Sequence, residues 1–126
     1  MLLSRRNLFV LLATGSLLAV AAQCNAGTLR AGAAAVDISP TEFPLNMPGG
    51  FRANMGQTVH DPFFARAIVL DDGATKLAMV VVDSLGVPAD VVTEAKKIAA
   101  ERTPISTDHM MVSSTHTHTG PPYNGD

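Results

Sequence analysis

The chain has no tryptophan, a single tyrosine and a single cysteine. Each scarcity removes a class of protein. One thiol cannot form an intramolecular disulfide, so no disulfide framework holds the fold. Positive charge is no more abundant: 9 Lys and Arg stand against 11 Asp and Glu. With no basic block beyond the first residues and few aromatic rings to stack on bases, nucleic-acid binding has nothing to rest on. Internal repeats and low-complexity segments are absent as well.

What is present begins with an export pattern. Met1 to Arg6 is short and basic, Leu8 to Ala22 is an uncharged apolar run, and Ala21 to Gly27 is rich in small residues. That order reads as a secretory signal peptide over residues 1–26. The apolar run is shorter than the roughly 20 residues a spanning helix needs. Ser4-Arg5-Arg6-Asn7-Leu8-Phe9 also has the look of a twin-arginine signal. Cleavage is compatible with either Ala22 or Ala26. The expected location is secreted or periplasmic. Residues 27–126, about 100 in all, are enough for one small domain.

Leu29 to Ser39 predicts a strand stopped by Pro40. Thr41 to Gln57 holds three glycines and two prolines in loop composition, and a loop of that length tends to be functional. Phe63–Leu70 and Lys76–Val82 are apolar strands joined by an Asp72-Gly73 hairpin turn. Their continuous hydrophobicity predicts cover on both faces. Pro88 to Arg102 turns to helical spacing, with Val91, Ala95, Ile98 and Ala99 on one face. Asp108 to Ser114 predicts a further strand. The expected fold is α/β: a mixed sheet in which a β-hairpin is followed by a βαβ unit. In such sheets ligands bind at the carboxyl ends of the strands. That rule brings Asp83, after one parallel strand, near His116 and His118, after the next.

Residues i and i+2 of extended chain point to one side. His116 and His118 are therefore expected to face one centre, and neutral imidazole is the commonest protein ligand for zinc. The neighbouring Ser114, Thr115, Thr117 and Thr119 are expected to orient the rings. Asp37, His60, Arg66 and Asp83 are candidates for a supporting shell. Asp37 alternatively caps the turn at Pro40, and His60 with Asp61 alternatively forms a solvated loop. His109 reads as structural, and Asp71 and Asp72 as turn residues.

Four stretches, in order, resemble the N-terminal region of the neutral/alkaline (non-lysosomal) ceramidase family. They are Ala31-Gly32 leading into Val36-Asp37-Ile38-Ser39-Pro40; Pro48-Gly49-Gly50-Phe51-Arg52; Val59-His60-Asp61-Pro62 with Ala65 to Gly73; and Ser114-Thr115-His116-Thr117-His118-Thr119-Gly120-Pro121. The resemblance implies a zinc-dependent amidase acting on the N-acyl bond of ceramide-like lipids, a substrate compatible with peripheral contact at a membrane surface. It implies that His116 is a zinc ligand and that His118 contacts the substrate or the developing oxyanion. The family's further ligands, a histidine, a glutamate and a tyrosine, have no counterpart here. The chain is therefore expected to be the N-terminal part of a larger catalytic domain, inactive alone and exposing a free sheet edge. Two alternatives stand beside this reading. A metallo-β-lactamase-like hydrolase also opens with Thr-His-x-His but continues with Asp-His, where Gly120-Pro121 stands here. A non-catalytic metal-binding module is the other. Acyl length and oligomeric state are not legible in the sequence.

Overall fold

A computed structural model describes residues 27–121; residues 1–26, expected to be a signal peptide, lie outside them, as do residues 122–126. Strand β1 (Arg30–Asp37) ends where Asp37 Oδ1 accepts the Ser39 N–H, a local turn that takes the chain out of the ladder just before Pro40. The loop that follows contains two short antiparallel strands, β2 (Leu45–Asn46) and β3 (Met55–Gly56), where composition alone predicts only irregular chain. Strands β4 (Phe64–Asp71) and β5 (Lys76–Val82) pair antiparallel from Ala65↔Val82 to Asp71↔Lys76. Their turn is built as expected: Gly73 has φ +92°, and Asp72 Oδ1 accepts the N–H groups of Ala74 and Thr75.

Helix α1 (Ala89–Arg102) starts after Pro88, whose fixed φ suits a helix start, and ends at the extended Thr103. A single turn of 3-10 helix (Thr107–His109) takes the residues expected to open the last strand, and β6 runs from Met110 to Ser114. Strand order is β1-β4-β5-β6, with β5 and β6 parallel. The mixed sheet, the hairpin and the βαβ unit are thus those the sequence predicts.

Cover is where the sequence misleads. Cross-strand partners share a face, so Ile68, Met79 and Met111 lie together, as do Leu70 with Leu77 and Arg66 with Val81. That face is open: Ile68 is 42% exposed, Leu77 45%, Val81 38% and Met111 54%. The other face carries Met110, which is buried, and Val80 and Val112, which are half-buried. Continuous hydrophobicity predicts a two-sided need for cover, and among the described residues only one side receives it. The helix also turns slightly from its expected face. Val91, Val92, Lys96, Ala99 and Ala100 are half-buried, whereas Ala95 and Ile98 are exposed. The Lys96 stem can cover apolar surface while its ammonium stays in water.

An open apolar face of this kind drives association. Replacing Leu77 and Met111 by lysine is expected to raise the soluble monomer fraction severalfold, measured by size-exclusion chromatography. A wild-type chain that is already monomeric and melts cooperatively would contradict this account of the face.

Candidate metal corner and adjoining cleft

Beyond β5 and β6 the chain stays paired for a few residues. Thr115 N–H donates to the Val82 carbonyl at 2.9 Å and Thr117 N–H to the Ser84 carbonyl at 3.2 Å. His116 lies between them with φ +58°. The left-handed region is uncommon for a side-chain-bearing residue, although histidine is enriched there. Such strain of about 1–3 kcal/mol persists where surroundings enforce it, commonly at functional sites.

This kink changes the reason the histidines meet. The segment is not extended at His116, so pleat alternation does not bring the two side chains together. Even so, the rings approach edge-to-face with centroids 5.2 Å apart, and both residues are exposed. His116 Nδ1 lies 2.7 Å from the Leu85 carbonyl oxygen. A carbonyl only accepts, so Nδ1 must carry the proton, and in the neutral ring Nε2 keeps its lone pair free. That is the tautomer a metal ligand needs, held by the kind of backbone contact that supports metal-bound histidines. The donor set therefore fits zinc as far as it goes. Among the described residues no group of three His, Cys, Asp or Glu side chains could enclose an ion.

His118 is positioned by the glycine-rich loop. Gly49 has φ +104°, and a Cβ built on it would lie 2.5 Å from His118 Cγ. Glycine is required there twice over, for the backbone conformation and for the close approach to the ring. Gly120 is buried, where a Cβ would lie 2.9 Å from Thr117 Cγ2 and 3.2 Å from Phe63 Cε1.

The threonines do not orient the imidazoles. Thr115, Thr117 and Thr119 instead line a cleft of about 370 Å³ whose lining includes neither His116 nor His118. The orienting group is the Leu85 carbonyl, which also receives the Ser114 hydroxyl at 3.4 Å. No side-chain pattern announces a backbone carbonyl, so sequence reasoning had no signal for it. The Gly49–His118 contact was half visible, since Pro48-Gly49-Gly50 marks a special loop without naming its neighbour.

The supporting-shell candidates divide. Asp83 and Arg66 do come together: Arg66 Nη1 donates to Asp83 Oδ2 at 2.6 Å, and Phe64 N–H donates to the same oxygen at 2.9 Å. The guanidinium also lies 4.7 Å over the Phe64 ring. Asp83 lines the cleft, so this pair braces the cleft floor and not the histidines. His60 also lines the cleft, and its Nδ1 pairs with Asp61 Oδ2 at 2.9 Å in open solvent. That hydrogen bond raises the His60 pKa above its usual value. Asp37 is spent on its turn, the alternative reading of that residue, and its hydrogen bonds with Ser39 lower its pKa. His109 sits in the 3-10 turn at the opposite end of β6, away from the corner.

Desolvation pushes the Asp83 carboxyl pKa up, but the Phe64 N–H and Arg66 outweigh it, so the net shift is downward. The sign follows directly. A depressed folded pKa contributes stability that is present above about 3.9, the unfolded value, and lost as pH falls through the folded value. Asp83→Asn is expected to lower stability at pH 7 and to flatten the acid limb of the pH profile. Urea denaturation between pH 7 and pH 3 checks this, and an acid limb as steep as wild type would refute it.

No family model matches the chain, and no curated protein matches it.

Proposed function

We propose that this chain carries the zinc-binding corner of a secreted amide hydrolase of the neutral ceramidase type, cleaving the N-acyl bond of ceramide-like lipids. The observation that carries the reading is the His116 ring, fixed by the Leu85 carbonyl so that Nε2 presents a lone pair beside a second imidazole.

His116 Nε2 is the proposed ligand atom. When bound, zinc supplies Lewis-acid charge and a water acidified toward a pKa of about 7. His118, whose ring lies against Gly49, would donate an N–H to the amide oxygen as that oxygen gains negative charge. In the overall reaction a water oxygen bonds to the acyl carbon, the C–N bond breaks, and the leaving nitrogen takes a proton to depart as the amine. Zinc sites use three or four protein ligands. The remaining ligands must therefore come from polypeptide beyond the described residues, which makes the described part inactive by itself.

The test is hydrolysis of a fluorescent N-acyl sphingoid amide by the complete polypeptide that carries this sequence, with and without the His116 imidazole. Wild-type turnover in the variant would overturn the assignment.

A further inference from the structure

We propose that the cleft lined by Thr115, Thr117 and Thr119 is a binding site in its own right, for a small molecule with an apolar body and a hydrogen-bond-donating head. Its volume of about 370 Å³ falls in the range of small-molecule sites, which pair a mostly apolar wall with a few converging polar groups. One wall is apolar, with Phe43, Leu45, Met47 and Phe63. The polar side chains of the lining are carboxylates, threonine hydroxyls and the His60 imidazole. Asp61 and Asp83 offer acceptor oxygens, and the threonine hydroxyls accept as readily as they donate.

Among the described residues no Lys or Arg lines the cleft: the Arg66 guanidinium is held over the Phe64 ring and against Asp83, outside the lining. The sole cationic candidate, His60, is directed to Asp61. Asp83 is already paired with Arg66 and Asp61 with His60, so an anionic head would find no unpaired cation in the lining, whereas an amine or hydroxyl would find acceptor oxygens on Asp61, Asp83 and the threonines. His116 and His118 form no part of this surface, so the inference is independent of zinc and is tested without it.

The experiment is saturation-transfer NMR on the full chain in metal-free buffer, with hexylamine, hexanol, pentyl methyl ether and hexanoate as probes. Hexylamine and hexanol are expected to bind saturably; the ether, which cannot donate, binds more weakly, and hexanoate weakest of all. Asp61→Asn, an exposed change with little bearing on folding, is expected to weaken hexylamine by about three- to fivefold, the effect of one nearby charge in high dielectric. Thr58→Trp, at an exposed position on the cleft wall, is expected to fill the space and remove binding of every probe. Equal affinity for hexanoate and hexylamine would overturn the proposal, as would undiminished binding to Thr58→Trp or an absence of saturable binding to all four probes.

Discussion

His116→Asn is expected to abolish amide hydrolysis in the complete polypeptide while leaving the fold intact. Asparagine is the informative replacement because position 116 has φ +58°, which asparagine tolerates and alanine does not. An alanine variant would mix lost chemistry with added backbone strain. Loss of a metal ligand should cost more than the 10²–10³-fold typical of a single oxyanion donor. Turnover should therefore fall by more than about 10³-fold, against about 10²–10³-fold for His118→Ala. The thermal midpoint of His116→Asn should stay within a few degrees of wild type, since His116 is exposed and contributes one hydrogen bond, worth about 1 kcal/mol. Steady-state kinetics and thermal melts of the same preparations separate the two effects. A variant that unfolds would show that the kinked segment, not the imidazole, is what position 116 supplies.

Gly49→Ala is the second large effect. It acts on a residue that takes no part in the chemistry. The new methyl would meet His118 Cγ at 2.5 Å, far inside van der Waals contact, at a backbone φ of +104°. Either the loop or the imidazole must move. A displacement of about 1 Å at a catalytic group can cost 10²-fold in rate. The expected result is a fall of about 10²-fold in kcat, together with about 1–3 kcal/mol of lost stability from the strained backbone. Gly50→Ala is the control, because a Cβ there comes no closer than 3.5 Å to its nearest neighbour, the Arg52 carbonyl oxygen. Comparable kcat values for the two variants would show that Gly49 does not position His118.

The sheet was legible because its signals are local and periodic. Asp72-Gly73 marked the hairpin, Pro88 opened the helical spacing, and the apolar runs marked β4, β5 and most of β6. Adjacency of β5 and β6 followed from the single helix between them. What escaped the sequence depends on contacts across the chain. Continuous apolar strands state a need for cover without showing what meets it, so Ile68, Leu77 and Val81 were expected inside and stand exposed.

In the site, His116 and His118 were found from their spacing, but the pleat argument that joined them fails at the left-handed His116. The threonines looked like partners of the imidazoles because they are neighbours in sequence. The kinked segment turns them into the cleft instead. Asp83 was expected at the rim from topology, and it is there, but its partners are Arg66 and Phe64, on the adjoining strand.

The central claim is that His116 Nε2 is a zinc ligand. Calorimetric titration of zinc into the full chain, beside His116→Asn, tests it most directly. Structural zinc sites gain about 10–16 kcal/mol from a full ligand set. A corner holding two imidazoles should bind one equivalent far more weakly, with a Kd on the order of 10 µM or weaker. That binding should vanish in His116→Asn. Nanomolar, stoichiometric binding would show a complete site and favour a metal-binding module; weak binding that survives His116→Asn would contradict the assignment outright.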